Sequence, residues 1–150
     1  MNTTFAPDLT MASPSQPVRG RVWTVGLVAG LVAGAATEVF AFAAHAGGIT
    51  MRAGNLGAST AADIPPGSFA MGTLVCTIWG TVLAAVLARR ATRPARSFTV
   101  AATVLAVLSL IGPIGAGATG VSTKLVLCVA HLVAAGIVIP ALRRRLTTQA

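Results

Sequence analysis

Four apolar runs punctuate the chain, at residues 22–46, 67–88, 98–118 and 123–142, and each is closed by arginines, prolines or a glycine-rich stretch. At about 1.5 Å of rise per residue, helices of this length match the roughly 30 Å hydrocarbon core of a bilayer. The pattern predicts four membrane-spanning helices forming one transmembrane domain over residues 22–145. Residues 1–21 carry Pro7, Pro14 and Pro17 and no apolar period, so they lack the buried surface to offset their ordering entropy. They are expected to form a disordered cytoplasmic tail, and residues 146–150 a short cytoplasmic stub. The first run is about twice as long as the apolar region of a secretory signal. It also contains Glu38 and precedes further spans, so it is read as a retained helix.

The connections are legible too. Residues 47–66 are glycine-rich and polar and end in Pro65 and Pro66, where a helix can begin. Pro94 breaks the arginine-rich turn after the second run. Pro113 deprives the Ser109 carbonyl of its helical donor and predicts a bend in the third span. Gly112, Gly115, Gly117 and Gly120 make a short, flexible turn into the fourth run, which Pro140 and Arg143, Arg144 and Arg145 close.

Composition strengthens this picture. Of 150 residues, 55% are hydrophobic and 9% charged, against about a quarter charged in soluble domains. The net charge of +8 does not point to nucleic acid, because the basic residues flank apolar runs instead of lining a polar face. Arg19, Arg21, Arg89, Arg90, Arg93, Arg96 and Arg143 to Arg145 fall on one side of the predicted spans, while Arg52 and Lys124 fall on the other. The positive-inside rule then places both termini in the cytoplasm. The fold class is an all-α membrane protein, a four-helix transmembrane bundle with both termini cytoplasmic. Abundant Ala, Gly, Val and Arg, with no Tyr, suit a high-GC bacterium such as an actinobacterium, and hence a bacterial cytoplasmic (plasma) membrane.

Inside the first run Gly26, Gly30, Gly34 and Glu38 recur every fourth residue, putting three positions without side chains and one carboxyl on a single helix stripe. Another helix could approach that stripe closely, and the acid would face it. Counted from the outer boundary, Glu38 and His131 each lie about 12 Å deep, with Ser109, Thr73, Cys76 and Thr77 near the same level. A carboxylate in hydrocarbon costs about 2.5–3.5 kcal/mol on insertion scales, so Glu38 is expected to pair with His131, Ser109 completing a polar layer. Such a layer either locks helix register or titrates as a site. Cys76 and Cys128 lie in apolar runs without metal or redox spacing and are read as small buried hydrophobes. No catalytic cluster, metal site or cofactor is expected.

Two resemblances follow. Arg96-Ser97-Phe98, the element from Leu108 through Ser109, Leu110, Ile111 and Gly112 to Pro113, Ala130-His131-Leu132-Val133, and Ile139-Pro140-Ala141-Leu142-Arg143 resemble uncharacterised actinobacterial four-span membrane proteins catalogued as a domain of unknown function. That resemblance implies an integral membrane protein and supplies no catalytic residue. Ala36-Thr37-Glu38-Val39 is similar to the segment around the first-helix acid of small multidrug-resistance transporters, but the long first loop and the strong charge bias depart from that pattern. The expected function is a structural or accessory membrane component that is not an enzyme. The alternative is a small proton-coupled transporter using Glu38 and His131. Expected partners are the lipid bilayer and either a homo-oligomer or another membrane protein. Single cysteines introduced at Ser59 and Thr92 test the topology: impermeant alkylation of intact cells should label the first and spare the second, and the reverse result would invert the protein.

Overall fold

Each apolar run becomes a helix because lipid offers backbone N–H and C=O groups no partner outside the helical ladder. The computed structural model describes residues 18–148, with side chains from Arg21 onward, so predicted tail residues 1–17 and stub residues 149–150 lie outside the described residues. The elements run α1 (Val18–Ala46), β1 (Arg52–Ala53), β2 (Ala62–Asp63), α2 (Ser68–Arg90), α3 (Pro94–Ser109), α4 (Ile111–Gly115) and α5 (Val121–Thr147). Four segments, Arg21–Ala46, Ser68–Arg90, Pro94–Gly115 and Val121–Thr147, are long and apolar enough to cross a membrane.

The third span is split between α3 and α4, and the break falls at Ser109 and Leu110, where Pro113 withdraws the expected donor. The fourth helix runs past both of its predicted stops. Pro140 lies exposed inside α5, as transmembrane helices tolerate, and the helix continues through the arginines to Thr147. Arg89 and Arg90 in the last turn of α2, and Arg144 and Arg145 in that of α5, complement the negative ends of those helices, which extends them beyond the apolar runs.

Around the bundle, α1 packs mainly against α2 and α5, and α3 packs against α5 and α2. The apolar core gathers toward the arginine-rich end, where Val22, Ala29, Ala33, Ala84, Phe98, Val138, Leu142 and Leu146 are buried together. Phe98 is the buried anchor of α3.

At the opposite end the long loop is folded rather than loose. Strands β1 and β2 pair antiparallel, with Arg52 opposite Asp63, and these two side chains form an exposed ion pair at 3.1 Å. The loop is then stitched to the α4–α5 connection. Gly54 N–H donates to Thr119 Oγ1 at 3.0 Å, Gly117 N–H to the Asn55 carbonyl at 3.0 Å and Gly57 N–H to the Gly115 carbonyl at 3.1 Å. Leu56 and Ala116 form an antiparallel bridge, and Thr123 Oγ1 donates to the Thr50 carbonyl at 2.6 Å. The turn expected to be flexible is therefore half of a clasp. Its glycines permit close backbone approach, since a Cβ on Gly117 would collide with the backbone of Ala58. Replacing Gly117 by Val should unseat the loop, and limited proteolysis in mild detergent should then cut within residues 47–67 several-fold faster than in the parent; an unchanged digestion rate would remove the clasp from the account.

Candidate functional site

The stripe of Gly26, Gly30 and Gly34 faces α2, not the helices that carry Ser109 and His131. A Cβ on Gly26 would overlap the Thr81 side chain, one on Gly30 would lie 3.0 Å from Thr77 Cγ2, and one on Gly34 would lie 3.5 Å from the Ala70 carbonyl oxygen. Thr73, Thr77 and Thr81 recur with the same four-residue spacing as the glycines, so two antiparallel helices mesh along matching stripes. The threonine hydroxyls are satisfied within this contact. Thr37 donates to the Gly34 carbonyl at 3.0 Å; its one proton is thereby used, so the 3.1 Å contact between the Thr37 and Thr73 hydroxyls has Thr73 as donor. Thr77 and Thr81 donate to the carbonyls of Thr73 and Thr77, at 2.7 and 2.8 Å, and Thr77 presents its methyl carbon to Gly30.

Glu38 completes the stripe. Helix α2 is preceded at its N-cap by Gly67, whose left-handed backbone (φ +87) supplies no side-chain cap, and a helix start leaves four N–H groups without intrahelical partners. Glu38 supplies the missing acceptors from the neighbouring helix: Gly67 N–H donates to Oε1 at 2.6 Å and Ala70 N–H donates to Oε2 at 3.0 Å. A carboxylate at the positive end of a helix is favourable on electrostatic grounds as well.

This geometry corrects the predicted polar layer. Glu38 lies level with the beginning of α2, because α1 runs on from Glu38 to Ala46 beside the loop, beyond the paired part of the bundle. The acid therefore lies nearer the loop end than its distance from the end of α1 implies. His131 does not pair with it: Nδ1 of His131 donates to the Leu127 carbonyl of its own helix at 2.7 Å. Ser109, exposed at the end of α3, donates to the Ala106 carbonyl at 2.7 Å. Each of these side chains bonds to the preceding turn of its own helix, a local bond that needs no partner helix.

Beside Glu38 a crevice of about 180 Å³ opens between α1 and the loop, lined among others by Phe42, His45, Met51, Ile64 and Phe69. Cys128 is half-buried while Cys76 is exposed on α2, which corrects the expectation that both are buried. Among the described residues no group of three or more His, Cys, Asp or Glu side chains could hold a metal ion. Sequence reasoning missed Thr81 and the Gly67–Ala70 donors. The shared four-residue period of the glycines and threonines, read in antiparallel register, is the signal that would have found the first; the absence of a capping side chain before Ser68 points to the second.

Four apolar spans, the first two joined by a carboxylate cap, fit a multi-pass α-helical membrane protein. Over residues 17–148 the sequence matches a family of unknown function (DUF6069), and the chain belongs to that family. No curated protein and no solved structure matches it.

Replacing Glu38 by Ala should lower stability by about 1–3 kcal/mol, the worth of a helix cap or of a hydrogen bond to a charged group, read by thermal unfolding of the purified protein. Combined with His131→Ala, the losses should add to within about 0.5 kcal/mol; a larger coupling would restore the pairing of the two residues. Gly26→Leu, which drives a side chain into Thr81, should cost about 1–3 kcal/mol by overpacking, on the same readout.

Proposed function

We propose that the protein is a structural or accessory component of a bacterial cytoplasmic (plasma) membrane, with both termini in the cytoplasm and no catalytic turnover of its own. The observation that carries this reading is the use made of Glu38. Intramembrane ionisable groups are candidates for transport or binding by default, but here both carboxylate oxygens accept backbone N–H groups of α2. The acid is employed in joining two helices. His131 Nδ1 and the Ser109 hydroxyl likewise bond to carbonyls of their own helices, and among the described residues no hydrogen bond joins either to Glu38. The charge bias of the connections supports the orientation, and the Ala-, Gly-, Val- and Arg-rich composition supports an actinobacterial source. The working partners are the bilayer and a second membrane protein or another copy of the chain.

Liposomes containing the purified protein, loaded with a pH-sensitive dye and placed under a proton gradient, test this reading with a panel of organic and inorganic cations. No cation-dependent change in internal pH is expected beyond that of empty liposomes. A change abolished by Glu38→Gln would replace the structural reading with proton-coupled transport.

A further inference from the structure

At the arginine-rich end of the bundle, α1 and α5 leave a wholly apolar groove of about 400 Å³, lined by Thr24, Val25, Val28, Ala29, Val32, Ile137 and Ala141. Its small residues, Ala29 and Ala141, leave room between bulkier walls. Val28 and Val32 remain more than half exposed, at 57% and 54%. From Thr24 to Val32 the groove rises about 12 Å along α1, most of the roughly 15 Å depth of one leaflet's hydrocarbon. It therefore has the length of an acyl chain lying along the bilayer normal.

Its basic end is equally defined. Arg21 precedes Thr24 and Val25 by one turn on the same stripe of α1, and Arg144 follows Ala141 by one turn on α5, in line with Ile137. Both arginines are exposed. The register thus sets two exposed arginines one turn beyond the end of the groove, and guanidinium binds phosphate oxygens through paired N–H donors. A second copy of the chain, inserted in the same orientation, would bring its own arginines to this level and set like charges together.

We propose that the α1–α5 groove binds an anionic phospholipid, one acyl chain lying along Val25, Val28 and Val32 and its phosphate held by Arg21 and Arg144. The α2–α3 connection carries Arg89, Arg90, Arg93 and Arg96 at the same end of the bundle, so charge alone does not distinguish the site. The combination of groove and arginine pair does. Basic pockets between transmembrane helices recognise anionic headgroups by the same physics.

The test uses the full-length protein in neutral detergent, titrated with phosphatidylglycerol or phosphatidylcholine of identical chains. Thermal unfolding and native mass spectrometry of the bound lipid are the two readouts. Phosphatidylglycerol should raise the unfolding midpoint and stay bound, with at least tenfold preference over phosphatidylcholine. Arg21→Gln combined with Arg144→Gln should abolish the preference by removing the phosphate contacts, and Val28→Trp should abolish it by filling the groove. Arg89→Gln combined with Arg93→Gln should leave it intact, with each variant's lipid response read against its own unfolding midpoint in phosphatidylcholine. Equal response to the two lipids, equal loss in the Arg89 and Arg93 variant, or a Val28→Cys protein that crosslinks quantitatively to a second copy would each overturn the proposal.

Discussion

A helix that begins at a membrane boundary has backbone N–H groups with nowhere to go, and in this protein the rest of the hairpin depends on how α2 resolves that problem. Gly67 offers no side chain, so the acceptor comes from α1 as the Glu38 carboxylate. Once that contact is made, the axial register of α1 against α2 is set. The glycines then fall opposite Thr77, Thr81 and Ala70, and the Thr37 hydroxyl falls opposite that of Thr73. Because hydrocarbon solvates the outer faces of separated helices as well as it does those of packed ones, close fit and satisfied polar groups are what hold such a pair together. Cap, threonine pair and glycine stripe are three parts of one register.

The two ends of the bundle are held by different physics. Along their whole contact α1 and α2 meet through small residues, and toward the loops the connections are pinned to each other by backbone donors and acceptors. Toward the arginines, larger apolar side chains, Phe98, Leu142 and Leu146 among them, fill the space between helices. The polar residues of the spans are concentrated where each can be satisfied by a neighbouring helix start or by a preceding turn. Apolar packing takes over where the guanidinium groups need the interface for themselves.

Much of the architecture was legible in the sequence because lipid imposes one solution on a long apolar run. The four spans, the break near Pro113 and the role of the glycine stripe in close packing all follow from that constraint. Helix ends were less legible. Arginine is a good helix former and is favoured near a helix C-terminus, so α2 and α5 outlast their apolar runs. The partner of Glu38 is hidden for a related reason: depth along one helix does not give register, which belongs to a pair. Side-chain chemistry points to His131, yet the stronger demand comes from main-chain donors that no residue name reveals. The clasp between the loops was hidden in the same way, since Gly54, Gly57 and Gly117 act in it through their backbone N–H groups.

The clasp also sets the mechanics of the bundle. By tying the α1–α2 connection to the α4–α5 connection, it closes at one end a circuit that the chain itself leaves open. That end is a fixed joint. At the other end α1 and α5 carry the chain's two termini, and their packing there is made by side chains, without backbone hydrogen bonds between them among the described residues. The groove thus lies at the end where side-chain packing alone joins α1 to α5, and a chain lodged in it would add to that packing.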